Sequence, residues 1–167
     1  TSKEVCQYRF KQLINDKIIT GFYALPDVSK LGYTSNKVFI KYKSLTREKE
    51  QEIISYVIKT QLVSWAAGCE GAWDLIITTI TVNQKEFVDF YLDFFSRFGE
   101  YFKHKEVLVP IDSIALNEKY LADGKTLYSK KFGLQPEKTV EIDEKDRTIL
   151  HELSVNARAT LTEIGKK

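Results

Sequence analysis

The stretch "GCEGAWD" (68–74) places two glycines, two carboxylates and an indole within one short segment. Gly68 and Gly71 allow backbone N–H groups to come close to a carboxylate, and Asp74 can accept a hydrogen bond from an amine. The same residues equally describe a tight hairpin in which Asp74 caps the turn. A second group opens the chain. "TSKEVCQYRFKQ" offers Ser2 as a helix cap and sets Lys3, Gln7, Tyr8 and Lys11 on successive turns, with Arg9 at the edge. Lysine and arginine bind phosphate or guanine and glutamine can pair with adenine, so such a face suits a major groove. A solvated amphipathic helix accounts for it as well.

Catalytic constellations are missing from this list. His104 and His151 lie far apart in sequence, and neither Cys6 nor Cys69 has a nearby base in a recognisable motif. There is no glycine-rich phosphate loop and no metal-spaced cluster; Glu70 and Asp74 beside Trp73 are the nearest approach to an acid pair. The chain is read as a non-enzyme without cofactor or metal.

Composition narrows the class further. The charges nearly cancel, at +2, so any case for nucleic acid rests on where the charges sit rather than on their sum. Two lone cysteines without disulfide spacing suit a reducing compartment. No signal peptide is visible and no apolar run approaches the roughly 20 residues of a membrane span, which predicts a cytoplasmic protein with no membrane partner. The sequence has no methionine and starts at Thr1, as expected of a piece of something longer.

The elements that must position these residues follow from periodicity. "KVFIKYK" (37–43) alternates as a strand, and "TREKEQEIISYVIKTQ" (46–61) sets Ile53, Ile54, Val57 and Ile58 on one helical face behind Thr46 as cap. Residues 62–82 are strand-like at both ends and broken by Gly68 and Gly71, which predicts a hairpin. "NQKEFVDFYLDFFSRFG" (83–99) starts at Asn83, repeats Phe87, Phe90, Tyr91, Phe94 and Phe95 at helical spacing, and stops at Gly99. A last strand over 101–116 completes βαββαβ, an α+β ferredoxin-like sandwich of strand order 4-1-3-2 with both helices on one face. The other face, also apolar in part, predicts dimerisation through the sheet.

At the start, Cys6, Phe10, Leu13 and Ile14 form the stripe of a helix packed on one side. At the end, Asp143 with Asp146 and Thr160 with Glu163 form capping boxes before the stripes Ile149, Leu150, Leu153 and Leu161, Ile164. Arg158, in the turn between them, reads as a solvated charge ahead of a phosphate contact, and His151 reads as surface.

Three segments together resemble one family. "YRFKQLINDKIITGFYALPDVSKLGY" (8–33) is similar to the recognition-helix end, turn and hinge strand of Lrp/AsnC regulators, the feast/famine transcription factors. "GAWDLIITTIT" (71–81) resembles the hairpin of their ligand-sensing domain, with Trp73 where the family often has tyrosine, and 142–167 resembles the start of their DNA-binding domain. The resemblance implies a DNA-binding regulator of double-stranded DNA, homodimeric and possibly a higher homo-oligomer, that responds to a small effector such as an amino acid. It implies DNA-binding residues Ser2, Lys3, Gln7, Tyr8, Arg9 and Lys11, and effector-binding residues Gly68, Gly71, Trp73 and Asp74. The alternative is a stand-alone sensing or oligomerising module without specific DNA binding. The order departs from the family's, in which helices one and two precede the recognition helix. The expected layout is therefore a window from a tandem protein: 1–20, the end of one helix-turn-helix domain; 21–35, hinge strand and linker; 36–116, the ferredoxin-like sensing and oligomerisation domain; 117–139, linker; 140–167, the first two helices of a second helix-turn-helix domain. Since the body's first and last strands are neighbours, residues 143–167 are expected to pack against residues 2–19 of the same chain or of a dimer partner.

Overall fold

The computed structural model describes residues 2–115, 130–136 and 138–166. Its backbone contacts divide the chain into two compact units, a body of Asp27–Glu141 and a helical unit made of Thr1–Pro26 together with Ile142–Lys167. In chain order the elements are α1 (Lys3–Asn15), β1 (Thr34–Tyr42), α2 (Arg47–Lys59), β2 (Val63–Gly68), β3 (Leu75–Thr81) and α3 (Gln84–Phe98). A 3-10 turn (Gly99–Tyr101), β4 (Phe102–Leu108), β5 (Asp112–Ala115), β6 (Lys130–Gly133), α4 (Glu144–Val155) and α5 (Leu161–Ile164) follow.

The body is the expected ferredoxin-like sandwich. Its sheet runs β2-β3-β1-β4, every pair antiparallel, and the central pairing sets Val38 opposite Ile77 on one side and Val107 on the other. Side chains alternate across a strand, so Val38, Ile40, Leu75 and Ile77 share the face covered by the helices, and all four are buried. Helix α2 starts at Thr46, whose hydroxyl accepts from the Lys49 N–H, and buries Ile53 and Val57. Helix α3 starts at Asn83, whose side chain accepts from the Glu86 N–H while the Glu86 carboxylate reaches back to the Val82 N–H at 2.7 Å. Two otherwise orphaned donors are thus satisfied. Its inner face buries Phe87, Phe90, Phe94 and Phe98, and Phe94 lies with its centroid 5.5–5.8 Å from the rings of Phe90, Phe95, Phe98 and Phe102. Full burial of one such ring is worth roughly 1.5–3 kcal/mol, so this cluster dominates the core.

Several expectations are corrected. Ile54 and Ile58 are exposed, because the sheet is approached only by the narrower Ile53–Val57 edge of α2. The last strand does not run from 101 to 116: β4 starts at Phe102 and stops at Leu108, two residues before Pro110, which cannot donate to a ladder. β5 then pairs with β6, Asp112 opposite Gly133, so the segment read as a linker contains a strand. Residues 117–129 and 137 of that segment, and residue 116 before it, lie outside the described residues. The hinge segment forms no ladder before Thr34; instead Ala24 N–H donates to the Leu153 carbonyl (2.9 Å) and the Phe22 carbonyl accepts from Ala157 N–H (3.0 Å).

Those two bonds join the halves of the helical unit. Ser2 caps α1 through a 3.4 Å bond from the Val5 N–H, and both C-terminal capping boxes form, Asp143 with Asp146 and Thr160 with Glu163. The packing contacts are therefore not the full stripes. Phe10 is half-buried and its ring lies 5.7 Å from that of Phe22, but Cys6, Leu13, Ile14, Ile149 and Leu161 stay exposed, and α1, α4 and α5 contain no fully buried residue.

Asn36 is the exception in the body's core. It is fully buried on the helix-facing side, two residues from Val38, and both side-chain amide atoms are without a hydrogen-bond partner among the described residues. Its neighbours are otherwise paired: Thr79 Oγ1 donates to the Asn36 carbonyl, and the Thr34 and Thr81 hydroxyls bond each other at 2.9 Å. An unpaired buried amide costs about 1–3 kcal/mol. Asn36→Val should raise stability by about that amount, read from the urea midpoint of unfolding; a lower midpoint would show that the amide has a partner in solution.

Candidate nucleic-acid interface and hairpin site

The β2–β3 hairpin closes where Gly68 pairs with Leu75 and the Cys69 N–H donates to the Asp74 carbonyl at 2.8 Å. Gly71 has φ +123°, a conformation that side-chain-bearing residues rarely adopt, and a Cβ there would meet nothing within 4 Å. The requirement for glycine at 71 is conformational rather than one of space. Asp74 joins this turn to the central strand. Its Oδ1 accepts from Lys41 Nζ at 2.6 Å, its Oδ2 from the Tyr42 N–H at 2.7 Å, and its own N–H donates to the Ile40 carbonyl at 2.9 Å. Lys41 Nζ donates in addition to the Gly71 carbonyl at 2.9 Å. Trp73 packs on Phe39, centroids 5.7 Å apart.

The geometry thus brings Gly71 and Asp74 together through Lys41, puts Trp73 against Phe39 of the central strand, and pairs Gly68 with Leu75 across the hairpin. Both Asp74 oxygens are engaged, as a turn-capping aspartate requires. Burial raises the Asp74 carboxyl pKa, but the Lys41 ammonium and the Tyr42 N–H outweigh it and hold the group below its ordinary value. Sequence reading missed Lys41 and the Tyr42 N–H. Strand alternation put Lys41 on the same face as Phe39, but nothing in a single sequence pairs it with a residue on another strand.

On α1, all six candidates, Ser2, Lys3, Gln7, Tyr8, Arg9 and Lys11, are exposed. At 100° per residue Lys3, Gln7, Lys11 and Tyr8 spread over one side, and Arg9 falls beyond Tyr8 by a further 100°. Gln12 was not anticipated: its Nε2 donates to the Tyr8 hydroxyl at 3.0 Å and fixes that ring one turn along the helix. The i, i+4 spacing was the available signal. The Glu4 carboxyl is held below its usual range by its own backbone N–H and by Ser2.

Arg158 is not a simple solvated turn charge. Its guanidinium lies 4.4 Å from the ring centroids of both Phe10 and Phe22, one residue on from the Ala157–Phe22 bond. Cation–π attraction of this kind is worth about 0.5–1 kcal/mol at an exposed site. His151 is exposed, as read.

Comparison with known proteins bears on the fold and on one segment. Residues 142–167 match the AsnC-type helix-turn-helix domain. No curated protein matches the chain by sequence. Among solved structures, an AsnC family transcriptional regulator from Agrobacterium tumefaciens is similar at 17% identity, with a TM-score of 0.58, over 70% of this chain and 76% of that one. A transcriptional regulator from Neisseria meningitidis in complex with L-Met is similar at 20% identity, TM-score 0.51, over 70% and 72%. The siroheme decarboxylase NirDL is similar at 18% identity, TM-score 0.53, over 88% of this chain and 40% of that one. The chain has the fold of Lrp/AsnC regulators and carries an AsnC-type helix-turn-helix segment, so the resemblance read in its sequence holds. That fold is shared by an enzyme as well as by regulators. Among the described residues no helix is long and apolar enough to cross a membrane.

The Asp74 geometry sets a pH-dependent prediction. A carboxyl depressed in the folded state contributes stability that is present above its unfolded pKa and is lost as pH falls through the folded value. Asp74→Asn should cost about 1.5–3 kcal/mol at neutral pH, the scale of hydrogen bonds to a charged group. The difference from wild type should shrink as the pH drops below about 4, the ordinary aspartate range. Thermal unfolding across pH 2–7 measures both; a difference constant over that range would rule out the ion pair.

Proposed function

We propose that this chain acts in a DNA-binding transcription regulator whose assembly responds to a small effector. The observation that carries the reading is the makeup of the helical unit: the segment matching an AsnC-type helix-turn-helix domain, α4 and α5, lies in one compact unit with α1 and its exposed basic, amide and aromatic side chains. In this reading α4 and α5 support, and α1 reads. Gln7 and the Gln12-braced Tyr8 address base edges, while Lys3, Arg9 and Lys11 take phosphates and Ser2 fixes the start of the helix.

The hairpin supplies the effector site. An α-amino acid carries one ammonium and one carboxylate, the complements of Asp74 and Lys41, which now neutralise each other at 2.6 Å. Gly68 and Gly71 keep the turn's backbone approachable and Trp73 gives an apolar wall. The L-Met bound in the Neisseria meningitidis structure supports an amino acid as the class. The sheet face opposite the helices carries Phe39, Ile76 and Trp65, the last 53% exposed, and suits a second copy of the chain.

Two measurements test this. In binding to a random duplex pool, Gln7→Ala should change the preferred sequence, whereas Lys11→Ala should weaken all sites alike and lower the salt dependence by about one counterion. A combined Lys3, Gln7, Tyr8, Lys11 variant that binds as wild type would overturn the assignment of α1. For the hairpin, calorimetry with the common amino acids, beside sedimentation with and without them, should show heat and a shifted assembly that Asp74→Ala abolishes; no heat with any would leave the hairpin structural.

A further inference from the structure

The helical unit is built from two segments separated in sequence by the whole body. Among the described residues, the hydrogen bonds and ring contacts that join them are two backbone bonds, Ala24 to Leu153 and Ala157 to Phe22, and Arg158 lying against the paired rings of Phe10 and Phe22. With no fully buried side chain in α1, α4 or α5, those contacts are too few to hold two free pieces together at ordinary concentrations. α5 in particular is a single turn, and short helices are marginal alone. Closure must draw on something outside the unit.

The body contains such a device. The segments by which the chain enters and leaves it are stitched to each other. The Val140 N–H donates to the Lys30 carbonyl at 2.8 Å and the Ser35 N–H to the Leu134 carbonyl at 3.0 Å. Gln135 Nε2 then bridges the Ser35 and Pro110 carbonyls, each at 2.9 Å. Around this seam Gly32, at φ +83°, has Thr139 Cγ2 at 3.4 Å from where its Cβ would stand, and a Cβ on Gly133 would come within 2.6 Å of Ser29 Oγ. The two segments therefore approach closely at Gly133, where a Cβ would displace the Ser29 side chain, and at Gly32, whose positive φ disfavours any larger residue.

We propose that this seam is a latch: by pinning Lys30 to Val140 it makes closure of the helical unit a local event, and opening it releases α1 from α4 and α5. Only the residues between Lys30 and Ala24 on one side, and between Val140 and Leu153 on the other, then separate the pinned points from the bonds that close the unit. Unpinning lengthens the free chain on both sides, and each doubling of a free loop disfavours closure by about threefold. Since the helical unit is where DNA is proposed to be read, a change in the body that opened the seam would loosen the reader without touching it. The latch itself rests only on the closure geometry and stands or falls independently of DNA binding.

The Ala24 and Ala157 amides donate across the two halves, so their hydrogen exchange reports closure directly. In the full chain, Val140→Pro removes the N–H that bonds Lys30, and Gln135→Ala removes the bridge to Ser35 and Pro110. The double variant leaves the Ser35–Leu134 bond as the next pin, so both amides should exchange about twofold faster than wild type. Exchange at the Val38 and Ile77 amides should stay unchanged, which separates unlatching from unfolding of the body. Val140→Ala keeps the N–H and should match wild type, so a side-chain effect would be recognised. Unchanged exchange at Ala24 and Ala157 in the double variant, with the body intact, would overturn the proposal; if the double variant loses the body, Val140→Pro alone, which removes the bond to Lys30, supplies the same comparison.

Discussion

The body depends on β1 being paired on both sides. With Val38 opposite Ile77 and Val107, the strand delivers Val38 and Ile40 to the aromatic core and Lys37, Phe39 and Lys41 to the far face. Slipping either pairing by one residue would exchange those sets, placing lysines against Phe94 and apolar groups in water, so the register is specified by the cost of burying charge. The same register puts Lys41 where it meets Asp74 and Phe39 where it meets Trp73. Core and hairpin are thus consequences of one alignment, and the aspartate that ties the turn down also reports that the alignment is correct.

Much of this was legible in the sequence because the body's elements have strong local signals. Phe87, Phe90 and Phe94 fall at helical spacing behind an Asn83 cap, and Gly68 and Gly71 interrupt a β-rich run, so helix α3 and the hairpin could be read without tertiary information. The two C-terminal capping boxes were equally visible, since each is a reciprocal bond between residues three apart. Periodicity overstated burial wherever a stripe had no facing surface. Ile54, Ile58, Leu13 and Ile14 have the right spacing but lie exposed, because spacing says which residues share a face and not how much of that face is covered.

What remained hidden was non-local. Lys41 and Asp74 are joined across strands, and Gln135 bonds Ser35 across most of the chain, with no local pattern to announce either. β6 is short and its partner β5 follows a proline break, so it carried no alternation long enough to distinguish it from a linker. Arg158 illustrates a different limit. Its charge was legible and its location in a turn was right, but its energetic environment is set by Phe10 and Phe22, which enter from the opposite end of the chain.

The contrast between the two units bears on how such a protein could work. The body buries a continuous cluster of apolar side chains, each contributing on the order of kilocalories, whereas the helical unit has caps, two cross-segment backbone bonds and one arginine on two rings. Regions with few buried contacts open at lower free energy than the global fold, so the helical unit belongs at the labile end of this molecule. An exposed reading face needs a fixed helix axis if its side chains are to meet successive base pairs in register. In the proposed reading, a reader with so few buried side chains depends for its rigidity on what holds its two segments near each other, and the body, which carries the inner end of each segment, is where that restraint lies.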